Sequence, residues 1–179
     1  MADEFLNKKW AHVFDGFFDL DGSKSVEWDD LELLLKKVEA AHGTDSAQHD
    51  ATKKAMKQVW DGLIAYDEDG DAEVSKEEWK MMWMAFMDGK PQACDWQSAY
   101  MEFMFQLLDV DGDGKINAND FNTAMSYFNV SDQDARMTFD KLCGGVVMDR
   151  LEFTQLWKEY FTSTDPSAKG NAFFGELKA

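Results

Sequence analysis

Three segments carry oxygen-bearing side chains at alternate positions: DLDGSKSVEWDD (Asp19–Asp30), DEDGDAEVSKEE (Asp67–Glu78) and DVDGDGKINAND (Asp109–Asp120). On one twelve-position template they offer oxygens at positions 1, 3 and 5. These are Asp19, Asp21 and Ser23; Asp67, Asp69 and Asp71; and Asp109, Asp111 and Asp113. Each segment ends in a carboxylate at position 12, namely Asp30, Glu78 or Asp120. The position-7 carbonyls belong to Ser25, Glu73 and Lys115. Hard oxygen donors wrapped at this spacing suit Ca2+, which takes six to eight oxygens at about 2.3–2.6 Å without strong directional demand. A single such segment also reads as a solvated acidic turn. Three copies in one register argue against that.

The departures from the template are informative. Position 6, where a sharp turn favours Gly, is Gly114 in the third loop but Lys24 and Ala72 in the first two. Shifting the register to put Gly22 or Gly70 there would place Trp28 or Lys76 at position 12, and neither can ligate Ca2+. The register therefore stands, and positive φ at Lys24 and Ala72 is expected to weaken those sites. Asp30 and Asp120 are one methylene shorter than Glu78 and reach an ion more readily with one oxygen than two. That lowers the coordination number, so mixed Ca2+/Mg2+ character is expected at sites one and three, with site two more calcium-selective.

Helices must present these loops. Each loop is followed by apolar residues at helical spacing: Leu31, Leu34, Leu35 and Val38; Trp79, Met82, Trp83 and Phe86; Phe121, Ala124, Met125 and Phe128. Trp10, Val13, Phe14 and Phe17 precede the first loop, and Met101, Met104, Phe105 and Leu108 precede the third. The exit pattern recurs once more as Phe153, Leu156, Trp157 and Tyr160, which puts Glu152 at position 12 of a fourth loop, residues 140–152. That stretch is one residue too long and almost free of ligand oxygens, so it reads as a hand without metal. An aliphatic position 8 (Val26, Val74, Ile116) lets loops pair as short antiparallel ladders, so the silent fourth loop would serve as partner to the third.

The expected fold is all-α: four EF-hand helix–loop–helix units in two lobes packed as one globule. Residues 1–90 would form the first pair and 91–162 the second, with DGKPQACDW (Asp88–Trp96) as the boundary. Residues 163–179 would form a tail whose Phe173, Phe174 and Leu177 fold back on the core. The Met-rich run KMMWMAFMDG (Lys80–Gly89) reads first as core packing and second as a soft target-binding surface.

The formal net charge is −17 over 179 residues, yet 45% of residues are hydrophobic and 14% aromatic, so this is a folded chain rather than a disordered acidic one. Such acidity disfavours bare nucleic acid and anionic membranes. There is no apolar run long enough to span a membrane, no signal-peptide pattern, and no myristoylation pattern, since position 2 is Ala. Two distant cysteines, Cys94 and Cys143, fit a reducing cytoplasm. His12, His42 and His49 form no zinc or catalytic spacing, so no enzymatic activity is expected.

The runs VEWDDLELLLKKV, VWDGL and SKEEWKMMW, and the ending LWKEYF followed by AKGNAFFGELK, resemble the calexcitins, within the invertebrate sarcoplasmic calcium-binding protein family. The resemblance runs nearly end to end. It implies a compact two-lobe helical fold with three ion sites and an inactive fourth hand, and a cytosolic role in neuronal or muscle calcium handling. The family is also associated with GTP, for which no GxxxxGK[ST] loop exists in this chain. On this reading the chain is a monomeric calcium sensor with a protein target. A sarcoplasmic-type buffer is the alternative. A calcium-triggered photoprotein is more remote, because such proteins cage a luciferin with His, Trp and Tyr and no His lies beyond residue 49.

Overall fold

A computed structural model describes residues 3–89 and 96–177; most of the proposed boundary, residues 90–95, lies outside them. The first hand is α1 (Glu4–Val13), β1 (Ser25–Val26) and α2 (Trp28–His42), with a single π-helical turn, Phe14–Phe18, leading from α1 into its loop. The second is α3 (Ala47–Leu63), extended by a 3-10 turn at Ile64–Tyr66, then β2 (Val74–Ser75) and α4 (Lys76–Met87). The third is α5 (Trp96–Leu108), β3 (Lys115–Ile116) and α6 (Ala118–Ser126). The fourth is α7 (Asp132–Cys143), β4 (Met148–Asp149) and α8 (Arg150–Thr162). This is the all-helical EF-hand architecture that the loop spacing and flanking periodicity predict.

Local chemistry sets the helix starts. Asp3, Ser46, Ser75, Asn117, Ser131 and Asp149 each accept a first-turn N–H at the N-terminus of α1, α3, α4, α6, α7 and α8. The loops pair through two antiparallel ladders, with Val26 opposite Val74 and Ile116 opposite Met148. The position-8 residues are therefore cross-strand partners, and Met148 plays that part in the fourth hand.

The fourth loop is shorter than its sequence span. Asp140, the candidate first position, lies inside α7, which runs on to Cys143. Gly144 then ends the helix at φ 65°, its N–H bonded to the carbonyl of Asp140. In the other three hands the position-1 aspartate lies outside the helix. Continuation of α7 removes the coil that would wrap an ion.

One hydrophobic cluster runs through all four hands. α3 packs along α5 more extensively than any other pair of elements, joining hand two to hand three, and α1 lies against both α4 and α8. Polar tips tie the same seam. Trp10 Nε1 donates to Phe161 O at 3.1 Å, Trp79 Nε1 to Trp10 O at 2.9 Å, and Tyr160 OH to Lys9 O at 3.0 Å. Lys9 Nζ donates to Ser163 O at 2.7 Å and to Asn171 Oδ1 at 3.0 Å, anchoring the segment after α8.

That segment folds back. Phe173 and Phe174 are buried, and Phe174 meets the rings of Phe17 and Tyr160, each at 4.7 Å. At Gly170 a Cβ would stand 2.5 Å from Leu156 O and from Glu159 Cβ, so only glycine permits this approach to α8. Leu177, expected to dock with the two phenylalanines, is half-exposed. The Met-rich run splits by face. Trp79, Met82 and Trp83 are buried, while Met81, Phe86 and Met87 are exposed. Phe86 therefore leaves the apolar stripe on which its spacing places it, at the last full turn of a helix that ends at Met87.

Candidate metal centres

The structure gathers the position-1, -3 and -5 aspartates of loops two and three: Asp67, Asp69 and Asp71, and Asp109, Asp111 and Asp113, each trio with a carboxylate oxygen within 4.8 Å of the others. In loop one the equivalent trio is Asp19, Asp21 and Asp30. Backbone N–H groups curl each chain around its carboxylates. Asp19 Oδ2 accepts from Lys24 N at 3.1 Å, Asp67 Oδ2 from Ala72 N at 2.9 Å, and Asp109 Oδ2 from Gly114 N at 3.0 Å. The donor in all three is position 6, whose φ is 81° at Lys24, 66° at Ala72 and 85° at Gly114. Positive φ at the two side-chain-bearing residues agrees with the register read from sequence.

Position 5 caps the turn toward position 7. Asp71 Oδ1 accepts from Glu73 N at 2.9 Å and Asp113 Oδ1 from Lys115 N at 2.8 Å. Ser23 Oγ donates to the carbonyl of Ser25 at 3.1 Å. Position 12 is held from the other side, each carboxylate accepting from the N–H of position 9: Asp30 from Glu27 at 2.9 Å, Glu78 from Ser75 at 2.8 Å, Asp120 from Asn117 at 3.0 Å. Glu78 and Asp120 stand outside their loops' trios. The second oxygen of Glu78 accepts from Glu68 N at 2.9 Å, so both of its oxygens rest on the loop's own backbone. That arrangement was not readable from spacing.

The test of whether a cation fits lies in the oxygens these networks leave over. Asp19 Oδ1 and Asp109 Oδ1 are buried and meet no donor. A buried carboxylate oxygen without a partner is unfavourable unless a proton or cation meets it. Loops rich in N–H donors that still leave the position-1 oxygen bare fit a cation at their centre. Electrostatics agrees. Burial raises Asp120 above the usual carboxylate range against a hydrogen bond from Asn117, and the charges of Asp111, Asp109 and Asp113 add to it. Burial likewise raises Asp30 against hydrogen bonds from Glu27, Asp21 and Leu20. Glu78 goes the other way: burial would raise it, but hydrogen bonds from Glu68 and Ser75 hold it low. Loops one and three thus hold carboxylates whose charge is poorly compensated within the protein.

The fourth hand gathers no such trio among the described residues. Its exposed connection instead carries Val146 and Val147, with Leu151 in the next turn. Two of the three histidines are tied into the fold by hydrogen bonds: His12 Nε2 donates to Phe174 O at 2.9 Å, and His42 is hydrogen-bonded to Tyr127 OH at 3.0 Å.

Residues 100–126, which contain the third loop, match the EF hand domain. Calexcitin-1 of Caenorhabditis elegans is 33% identical over 182 aligned residues, spanning 97% of this chain and 88% of the worm protein. The chain belongs to the calexcitin family. Similarity extends, at lower identity, to proteins of the sarcoplasmic type. Sarcoplasmic calcium-binding proteins I, III and IV of Branchiostoma lanceolatum are 24% identical, spanning 97% of this chain and 98% of theirs. The solved structure of a sarcoplasmic calcium-binding protein from amphioxus superposes with a TM-score of 0.77 at 24% identity, covering 98% of this chain and 99% of that one, which shows the shared fold. This calexcitin-family chain is accordingly an EF-hand calcium-binding protein. No helix among its described residues is long and apolar enough to cross a membrane.

Proposed function

We propose that the chain is a non-enzymatic, monomeric, cytoplasmic calcium sensor that binds three divalent ions. Site one would use Asp19, Asp21, Ser23, the Ser25 carbonyl and Asp30. Site two would use Asp67, Asp69, Asp71, the Glu73 carbonyl and Glu78, and site three Asp109, Asp111, Asp113, the Lys115 carbonyl and Asp120. The observation that carries the reading is the pair of buried, unpartnered oxygens at Asp19 and Asp109, each inside a loop that is otherwise hydrogen-bonded. A bound ion would supply the positive charge that each loop's carboxylates lack. Glu78 would leave Glu68 N and turn both oxygens inward, whereas Asp30 and Asp120 reach less far. Sites one and three would therefore also accept Mg2+.

The signalling role is supported by the likeness to calexcitin-1 and by the exposed apolar face of α4, Met81, Phe86 and Met87, a soft surface suited to a protein target in neuronal-type calcium handling. A buffer is the second reading. It is favoured by the tail, whose Phe173 and Phe174 already fill the interior that a sensor would open.

The test is a calcium titration of the chelator-stripped chain at about 1 mM Mg2+, followed by calorimetry, Trp emission and binding of a hydrophobic dye. Three ions with a rising dye signal are expected. Three ions with a flat dye signal would make it a buffer, and no calcium uptake would overturn the metal sites altogether.

A further inference from the structure

Several basic side chains of this acidic chain are already matched. Lys57, Lys76, Lys80, Lys141 and Lys169 each meet a carboxylate, and Lys9 and Lys37 donate to backbone carbonyls. Lys53 and Lys54, adjacent on α3, meet no carboxylate among the described residues, although the chain holds 35 acidic residues to 18 basic ones. Lys57 follows Lys53 by one helical step of four residues, so their ammoniums repel on one face.

All three lysines line a groove of about 450 Å³ between Trp28, the first residue of α2, and the outer side of α3. That volume is in the range of small-molecule sites. Its lining is mostly apolar, made by the Trp28 ring and the methylene stems of the lysines. The ring is fixed in place. Its Nε1 donates to Glu32 Oε1 at 2.9 Å, and it meets Trp60 in a T-shaped contact at 6.1 Å. Trp10, Trp79, Trp83, Trp96 and Trp157 are buried, whereas Trp28 and Trp60 reach the surface.

The charge of the lining selects among anions. Asp50 and Asp61 stand beside the three lysines, so the groove carries one net positive charge. Asp61 spends its carboxylate on Lys57, with both oxygens within 2.9 Å of Nζ. Lys53 and Lys54 are left as the unpaired pair. A polyanion would be repelled by the two aspartates, and it would leave the apolar wall unused. A single carboxylate on a flat apolar body satisfies both the lysines and the ring.

We propose that this groove binds a small aromatic monocarboxylate, with its rings against Trp28 and its carboxylate at Lys53 and Lys54. The site is separate from the ion loops but adjoins the first of them, since Trp28 precedes Asp30 by two residues in the opening turn of α2.

The probe is 2-naphthoate, titrated into the calcium-loaded full chain while the indole N–H region of the 15N–1H spectrum is recorded. One saturable site is expected. The Trp28 indole resonance, assigned with Trp28→Phe, should move, while those of the buried Trp10 and Trp79 stay in place. Lys53→Gln and Lys54→Gln are exposed changes that keep the fold, and each should weaken 2-naphthoate about 2- to 5-fold. Added salt should weaken it as well. The neutral 2-naphthamide, which keeps the rings and removes the charge, should bind more weakly than the acid. Three outcomes overturn the proposal: no saturable binding; saturable binding that leaves the Trp28 resonance unmoved; or binding in which 2-naphthamide equals 2-naphthoate and neither lysine variant matters, as apolar contact alone would produce.

Discussion

Lys24 and Ala72 hold positive φ at the turn of their loops because their N–H groups must point back at Asp19 and Asp67. A side chain there is strained by about 1–2 kcal/mol, a strain that glycine lacks. Ala72→Gly should tighten calcium at site two by up to about tenfold, offset in part by the greater freedom glycine gives the unfolded chain; calorimetric titration against the parent chain checks it. Lys9 is a different kind of residue. Burial brings its ammonium down to about 8, although Asp3 and Glu159 oppose the shift. The folded chain then loses this proton before the unfolded chain does, so unfolding binds a proton between pH 8 and the ordinary lysine range, and the lysine's contribution to stability rises with pH across that window. Lys9→Met should remove the rise. The difference in melting temperature between parent and variant, followed by circular dichroism from pH 8 to pH 10, should move in favour of the parent. The aspartates that each loop gathers were legible in sequence because loop spacing is local. The burial of Lys9 was not, since its acceptors Ser163 and Asn171 lie some 150 residues away.

The ladders are the elements that join one loop to another. Ile116, next to the third loop's Lys115, pairs with Met148, so the fourth hand holds the third loop in shape through that residue. Met148→Gly should weaken calcium at site three severalfold, because it removes a fully buried cross-strand partner, while leaving sites one and two unchanged. Site-resolved titration by NMR separates the three. An equal effect at all sites would instead indicate general destabilisation. The four hands and their order were readable from repeated apolar spacing. Two features were not. The overrun of α7 to Cys143 depends on KLC being as good a helix as a loop, a choice settled by Gly144 and the burial of Leu142. The π-helical turn at Phe14–Phe18 inserts a residue's worth of rotation, and Phe17 there meets both Phe128 and Phe174 at 4.7 Å. No pattern within one hand could reveal a turn shaped by contacts from the third hand and the tail.

For the whole molecule the governing opposition is between a formal charge of −17 and one continuous apolar interior. Three divalent ions would bring six positive charges, leaving −11, and would place them in loops where Asp30, Asp69 and Asp120 are all raised by burial and neighbouring carboxylates. Each site would stabilise the folded chain by about 2.7 kcal/mol at a calcium concentration one hundred times its Kd. Because α3 packs on α5 and the tail anchors α1 to α8, the two pairs of hands share that interior. Stabilisation at one site should therefore spread to the whole. Calorimetric melting is expected to show a single transition in both the chelator-stripped and calcium-loaded chain, displaced well upward by calcium. Salt should also raise the midpoint by screening the acidic charge, and more so in the stripped chain than in the loaded one. Two separated transitions in which calcium moved only one would mean that the hands unfold as independent pairs, and that the aromatic seam of Trp10, Trp79 and Phe161 does not bind them into one cooperative unit.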